Sequence, residues 1–141
     1  MDHVAILNKQ WKLLPKILSG EKSIESRWYK NRYSPWDKIK VGDKVFFKNS
    51  GEKVSVVTNI TKVLQFDNLN KSKIRNLLLE YGKRICISSN ENSPWFEGKR
   101  YCILMFLGEV RRLEKPFAID KSGFGNACAW MCVNDINLVK K

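Results

Sequence analysis

The chain has 141 residues, of which 43% are hydrophobic, and this length predicts a single domain over residues 1–141 with its own apolar core. Its 26 Lys and Arg outnumber 14 Asp and Glu, which gives a formal net charge of +12 and favours a polyanionic partner such as nucleic acid. We expect no membrane partner and a cytoplasmic location, because the sequence has no bilayer-length apolar run, no long basic amphipathic helix and no signal-peptide pattern.

Hydrophobic periodicity predicts a chain made mainly of strands. In chain order, the predicted strands are residues 3–7, 23–28, 44–48, 54–66, 100–112 and 129–139. A first helix is predicted over residues 9–19, with Asn8 as its N-cap and Pro15 as the point where it breaks or kinks. A second helix is predicted over residues 70–81, with Gly82 at its end. Short turns between the strands favour a barrel, and alternation predicts that the following residues point into it: Ile6, Ile24, Val45, Val56, Ile103 and Met105.

One octapeptide crowds ionisable residues behind a glycine: Gly20-Glu21-Lys22-Ser23-Ile24-Glu25-Ser26-Arg27. Because residues two apart share a strand face, Glu25 and Arg27 should point to one side, with Lys22 at the mouth of the turn. A carboxylate between two cations should have a lowered pKa, which suits a binding role better than a general acid. Lys22 could hold a phosphate as a point charge, and Arg27 could hold one bidentately. A salt-bridged strand surface is the structural alternative.

The octapeptide resembles the signature of the ASCH domain, a branch of the PUA-like β-barrel superfamily. Further similarity lies in Lys40-Val41-Gly42-Asp43-Lys44-Val45, in the helix over residues 74–81 with Gly82-Lys83, and in the segment 123–130. The resemblance implies a mainly β fold with peripheral helices (α+β), namely a six-stranded PUA-like barrel with helices plugging its ends. It also implies that Lys22, Glu25 and Arg27 line the groove where a substrate is expected.

The resemblance also implies an enzymatic alternative. Some small ASCH members resemble acetylcytidine amidohydrolases, which use a lysine, a threonine nucleophile in this strand and a distant glutamate. Aligned on Gly20 and Lys22, the threonine position falls on Glu25, and a carboxylate cannot replace a hydroxyl that attacks an amide. If the chain is an enzyme, whether a ribonuclease or such an amidohydrolase, Lys22 and Glu25 are the candidate catalytic residues.

Aromatic and basic side chains alternate in the predicted loop after the signature. The candidates there for stacking on bases and holding phosphates are Lys30, Arg32, Tyr33 and Trp36. Trp95, in another loop, could form an opposing wall, whereas Trp130 is expected to pack inside. Phe124 lies between two glycines in the loop 121–126, where the backbone could approach a ligand closely, and a plain hairpin loop is the alternative.

The remaining candidates predict structure. His3 begins a buried strand without an obvious Asp or Ser partner in sequence, which favours a structural histidine. The cysteines lie mostly in apolar runs, and only Cys128 and Cys132 are close in sequence, so we expect buried thiols with neither a metal site nor disulfides.

The favoured function is a nucleic-acid-binding module that holds RNA, or a modified nucleoside or nucleotide, in the barrel cleft. RNA is favoured over DNA, no cofactor is expected, and an RNA- or nucleoside-acting hydrolase and a protein-interaction module are the alternatives. We expect Lys22, Glu25 and Arg27 to converge on one solvent-accessible cleft, next to the loop 123–126 or the loop 33–36.

Overall fold

Six strands form one curled sheet in the computed structural model, which describes residues 1–125 and 128–141. In chain order they are β1 (Asp2–Leu7), β2 (Ile24–Tyr29), β3 (Lys44–Asn49), β4 (Val54–Phe66), β5 (Tyr101–Phe117) and β6 (Trp130–Val133). Their order across the sheet is β2-β5-β4-β3-β1-β6. The pairs are antiparallel except for β1 and β3, which run parallel. The predicted mainly β fold with peripheral helices is confirmed.

The helices lie at the ends and on the outside of the sheet. They are α1 (Leu13–Ser19), α2 (Lys71–Ile85) and three short 3-10 helices at Lys9–Trp11, Pro94–Phe96 and Ile136–Leu138. None of these helices, within the described part of the chain, has the length and apolar character needed to cross a bilayer.

Both faces of the sheet are buried, so the apolar side chains form three clusters. The inner cluster fills the curl of the sheet and comprises Ala5, Leu7, Leu14, Ile17, Ile39, Val45, Phe47, Val56, Ile60, Ile103, Met105 and Trp130. The second cluster lies outside β1, β3 and β6, around Val4, Phe46 and Met131. The third lies between α2 and the outer face of β2 and β5, where Ile24 meets Leu104. Each fully buried large side chain contributes about 1.5–3 kcal/mol to folding.

Arg27 joins the two edges of the sheet. Its guanidinium lies 3.4 Å from the carbonyl oxygen of Ala129, which precedes β6, and 3.4 Å from that of Ile6 on β1. The sheet therefore curls until β2 approaches β1 and β6, and a side chain rather than a strand ladder spans the remaining gap. We call this gap, bounded by β2 on one side and by β1 and Ala129 on the other, the seam.

The predicted inward direction is confirmed for Val45, Val56, Ile103 and Met105, which lie in the inner cluster, and is wrong for two residues. Ile6 is half-buried and packs against the outer cluster beside β1. Ile24 is fully buried, but it lies beneath α2 on the outer face. Strand alternation separates two faces, and when both are covered by apolar side chains it does not tell which one is inside.

Both predicted helices differ in detail from the structure. The first is interrupted as expected, but at Lys12, whose φ is +55°, while Pro15 lies in the first turn of α1, where no helical N–H is needed. The second continues through Gly82 to Ile85, because Ile85 extends the buried face, and Cys86 takes the left-handed conformation that ends the helix.

The last predicted strand is also shorter in the structure. Within the predicted range 129–139, only Trp130–Val133 forms a strand. A 3-10 helix follows at Ile136–Leu138, and the Asp135 side chain caps this helix by accepting from the Asn137 N–H at 2.8 Å. β5 instead extends to Phe117, five residues beyond its predicted end at Arg112.

Candidate functional site

The signature turn lies between the ends of two helices. Gly20 ends α1 with a φ of +84°, a conformation that glycine adopts without strain, and its N–H donates to the Ile17 carbonyl at 3.2 Å. The next residues are tied to both helices. The backbone N–H of Lys22 donates to the carbonyl oxygen of Lys16 in α1, and that of Ser23 donates to the carbonyl oxygen of Arg84 in α2, each at 3.0 Å. This brings the start of β2 against the C-terminus of α2.

Lys22 is buried, with 2% of its surface exposed. Its ammonium donates to the carbonyl of Ile24 at 3.0 Å and to that of Ile85 at 2.7 Å, and it lies 3.4 Å from Oε1 of Glu25. These acceptors match the three protons of the ammonium. The expectation that Lys22 holds a phosphate at an open turn therefore does not fit the geometry, because no ammonium proton is left for a ligand.

Glu25 lies on the inner face of β2 and is only 3% exposed. Its carboxylate accepts from the Ser26 N–H at 3.0 Å and lies 3.4 Å from both Lys22 and Arg27. Burial alone would raise the pKa of Glu25, but the charges of Lys22 and Arg27 and the Ser26 N–H outweigh it and lower the pKa below its usual value. Glu25 is therefore an ionised hydrogen-bond acceptor at neutral pH.

Arg27 shares the inner face with Glu25, as the spacing predicts. Its guanidinium lies 5.1 Å from the ring centroid of Trp130, which is buried at 4% exposure, and also contacts the carbonyls that line the seam. The side chain of Arg27 keeps 13% of its surface exposed, in contrast to Lys22. A guanidinium stacked on an indole and reached by solvent can still take an anion or a base.

A cleft of about 530 Å³ opens over these three side chains. Its floor includes Lys22, Glu25, Ser26 and Arg27, and its walls include Trp11, Trp28, Tyr29 and Trp95. Trp11 is 54% exposed and Trp95 is 42% exposed, so both indoles meet solvent at the cleft. The site thus combines exposed aromatic walls with a charged floor.

The other predicted site residues lie outside this cleft. Tyr33 is 59% exposed and contacts Tyr29 edge to face at 5.8 Å, which connects it to the wall of the cleft. Trp36, a candidate for stacking on bases, is half-buried, because it packs at 5.0 Å on Tyr101 and against the inner cluster. Arg32 also stacks on Tyr101, with its guanidinium 5.5 Å from the centroid of that ring.

Two further predicted residues, Lys30 and Phe124, do not line the cleft. Lys30 lies beside Gly98, near the Trp95 segment. Phe124 is 37% exposed in the glycine loop, whose last residue, Asn126, lies outside the described residues. That loop adjoins a second groove, which Lys121, Cys128 and Ala129 help to line.

Trp11 is the functional candidate that sequence reasoning missed. It lies in the first 3-10 helix, just before the α1 face that is buried in the inner cluster. Its immediate neighbours are polar: Lys9, Gln10 and Lys12. A large aromatic residue in a polar tripeptide context is the signal that could have identified an exposed indole.

His3 has partners that the sequence did not reveal. Its Nδ1 accepts from the Trp130 indole N–H at 3.0 Å, so Nε2 carries the proton and donates to Asp43 at 2.8 Å. Burial lowers the pKa of His3 in spite of the opposing effect of Asp43, so the ring is neutral in the fold. This chain of hydrogen bonds ties β1 to β6 and to the turn before β3, in keeping with the structural histidine that the sequence predicts.

Comparisons with known proteins identify the fold. No protein-family model and no curated protein matches the chain. The crystal structure of a protein named ASCH from Zymomonas mobilis is similar, with a TM-score of 0.70, 16% identity and coverage of 98% of this chain and 95% of that one. A tyrosine-to-phenylalanine variant of it aligns with a TM-score of 0.71, 17% identity and coverage of 97% and 93%.

A serine-to-alanine variant of the same protein gives a TM-score of 0.70, 17% identity and coverage of 98% of this chain and 96% of that one. Because the similarity extends over nearly the whole of both chains, the chain has the fold of these ASCH structures, as the signature predicts. Identities at this level show the fold alone.

Proposed function

We propose that the protein is a binding module for single-stranded nucleic acid, RNA in preference, and that it holds one base, modified or not, in the cleft between Trp11 and Trp95. The observation that carries this proposal is the pair of solvent-exposed indoles at a cleft with a buried carboxylate and a guanidinium at its floor. Every base has a π-face, so exposed indoles stack on bases of any sequence, while polar groups below them select the edge that is presented.

The floor of the cleft suits recognition of hydrogen-bond donors. Glu25 is held ionised and accepts from any N–H group, so a base that presents an amino or imino edge would be preferred. Arg27 offers donors and a stacking plane on its exposed side. Lys22 fixes Glu25 in place rather than contacting the base.

Cations near Trp95 suit the phosphates of a strand that leaves the cleft. Lys99 places its ammonium 4.9 Å from the Trp95 ring centroid, and its pKa is lowered by burial and by the charge of Lys30. Each of two neighbouring cations disfavours the charged form of the other, and a bound anion would relieve this repulsion. The net charge of +12 adds a long-range attraction for any polyanion.

The hydrolase alternative finds less support in the same geometry. Lys22 has three acceptors for its three protons, and Glu25 has a lowered pKa, so neither suits proton transfer at neutral pH. The nearby Ser26 hydroxyl accepts from the Trp28 indole N–H at 2.9 Å and has no histidine beside it among the described residues of the cleft. Binding without turnover is therefore the expected behaviour.

Binding to labelled single-stranded RNA, single-stranded DNA and duplex RNA, measured over a range of salt concentrations, tests this proposal. Trp11→Ala and Trp95→Ala should each weaken single-strand binding by about 1–3 kcal/mol, the usual contribution of one stacked base. Leu138→Ala, at a side chain that is 73% exposed outside the cleft lining, is the matched control. Equal affinities for all three variants would refute the cleft as the binding site, and release of acetate from acetylated cytidine or cleavage of the RNA would favour the hydrolase.

A further inference from the structure

Arg27 depends on Trp130 for its orientation at the floor of the cleft. The guanidinium hydrogen bonds to Glu25 and to the carbonyls of Ile6 and Ala129 are all 3.4 Å long, which is longer than the usual N–H to oxygen contact. The indole of Trp130 supplies the face on which the guanidinium stacks, 5.1 Å from the ring centroid. Trp130 is buried in the inner cluster and does not line the cleft. It therefore supports Arg27 from behind.

His3 in turn fixes the indole of Trp130. The indole N–H donates to Nδ1 of His3 at 3.0 Å, and the two rings lie with their centroids 5.6 Å apart and their planes tilted by 55°. An indole has one donor and no acceptor, so this bond sets how the ring is turned in its own plane. Nδ1 accepts only while it is unprotonated, and Nε2 then carries the proton that is donated to Asp43 at 2.8 Å. One tautomer of His3 therefore holds the indole in place.

A continuous path of contacts leads from the turn before β3 to the cleft. It consists of four side chains, in this order: Asp43, His3, Trp130 and Arg27. Of these four, Arg27 alone lines the cleft. Protonation of His3 would place an N–H on Nδ1, opposite the indole N–H, and two donors that face each other cannot form a hydrogen bond. The indole would then have to move, and with it the face on which Arg27 stacks.

The groups around His3 leave its ring neutral at neutral pH. Asp43 and Asp2 favour its protonation and the N-terminal ammonium disfavours it, but burial outweighs the carboxylates and lowers the pKa of His3. Val45, opposite His3 in β3, carries no charge. Cys132 is opposite His3 in β6, and burial raises the pKa of its thiol, so it is uncharged as well. His3 is thus the group on this path that gains a charge in mild acid.

We propose that His3 is a positioning residue for the cleft, which holds Arg27 through Trp130 in the orientation that binds a base and releases it when protonated. The inference rests on the proposed function and adds a regulation of that site by pH. A through-space effect of the charge on His3 has the opposite sign, because an added positive charge would strengthen the binding of an anionic strand. The direction of the pH dependence therefore separates positioning from simple charge.

The test measures the calorimetric affinity for a trinucleotide of uridine at steps from about pH 7.5 to about pH 5.5, at a temperature where each variant is folded throughout. The trinucleotide has no terminal phosphate, because that group would titrate in this range. In His3→Gln, the amide offers one acceptor and one donor, for Trp130 and Asp43, and does not titrate. Trp130→Phe keeps an aromatic face for Arg27 but has no N–H for His3. Leu138→Ala, exposed outside the cleft lining, is the control.

We expect the affinity of the wild type and of Leu138→Ala to fall as the pH is lowered, approaching about 10-fold for each pH unit below the pKa of His3, since one proton competes with one ligand. The affinity of His3→Gln and of Trp130→Phe should stay constant across the range. Because coupling is reciprocal, the pKa of His3, followed by NMR of its ring, should be lower in the complex than in the free protein. The indole N–H signal of Trp130 should shift with the same midpoint.

Other results separate the two proposals. A wild-type affinity that is constant or rises as the pH falls, or a pKa of His3 that is equal in the free and bound protein, would overturn the positioning role and leave the proposed function standing. A fall that persists in His3→Gln, or in Trp130→Phe if the first variant does not fold, would assign the pH dependence to another group and overturn the role as well. If the wild type binds no trinucleotide at any pH, the proposed function fails and the positioning role fails with it.

Discussion

The ammonium of Lys22 lies 2.7 Å from the carbonyl oxygen of Ile85, the last residue of α2. This hydrogen bond joins the signature turn to a helix end that is 63 positions away in the sequence. A cation at a helix C-terminus satisfies a carbonyl that has no intrahelical partner and opposes the negative end of the helix dipole. The lysine of the signature thus connects the barrel to its outer helix, and through Glu25 it also orders the floor of the cleft.

Replacement of Lys22 by Met should therefore destabilise the fold strongly. The change leaves the Glu25 carboxylate buried with one cation fewer and the Ile85 carbonyl without its donor, and breaking such a buried pair costs about 3–5 kcal/mol. Urea unfolding of Lys22→Met beside Lys16→Met, a half-buried lysine at the same cleft, gives the comparison. A loss no larger than that of the Lys16 variant would show that the ion pair contributes little.

Glu25→Gln should remove part of the acid sensitivity of the protein. The pKa of Glu25 is lowered in the fold from the value of 4.5, so its carboxylate stabilises the fold above pH 4.5 and this contribution is lost as the pH falls through the lower folded value. The wild type should lose stability steeply below about pH 4.5 and the variant less steeply. Thermal melts between pH 3 and pH 6 test this, with Glu114→Gln, an exposed carboxyl, expected to keep the wild-type slope.

His3 should make the stability of the fold depend on pH in a higher pH range than Glu25 does. Because its pKa is lowered in the fold from 6.5, the unfolded chain binds the proton more readily, and stability is complete above pH 6.5 and falls as the pH drops towards the folded value. His3→Gln, which keeps a donor for Asp43, should flatten the unfolding free energy between pH 7.5 and pH 5.5. An identical slope in the two proteins would assign this pH dependence to other groups.

Arg27→Lys should open the seam, although it keeps the charge. A lysine has no planar fork, so it cannot contact the carbonyls of Ile6 and Ala129 together while stacking on Trp130. We expect amide hydrogen exchange in β6 to rise about 10-fold, corresponding to the loss of about 1.4 kcal/mol of local stability. The amides of β4, which lies inside the sheet, serve as the internal reference. Unchanged exchange in β6 would mean that the strand edges meet without help from Arg27.

The strand pattern and the signature predict the fold well because they depend on local periodicity and on a short motif. The same periodicity places Glu25 and Arg27 on one face. It fails for Ile6 and Ile24 because apolar clusters cover both faces of the sheet, so each alternating set is buried. Gly82 was expected to end a helix, but the tertiary contacts of Ile85 carry the helix past it.

The site is less predictable because it depends on contacts between distant segments. The acceptor that occupies Lys22 comes from Ile85, and nothing in the octapeptide indicates that contact. The loop context makes Trp36 a candidate for stacking on bases, but Tyr101 of β5 packs against it at 5.0 Å. The low exposure of Lys48, 9%, is equally invisible in the sequence, where it follows the apolar run Val45-Phe46-Phe47.

The unequal exposure of the tryptophans gives the barrel its own optical reporter. Trp28 and Trp130 are each 4% exposed, whereas Trp11 and Trp95 are 54% and 42% exposed at the cleft. Emission from the first pair comes from an apolar, rigid environment at short wavelength, and emission from the second pair comes from indoles in contact with water. A stacked base would quench the long-wavelength component more than the short-wavelength one, so a change in the shape of the intrinsic fluorescence spectrum would report an occupied cleft without any label on either partner.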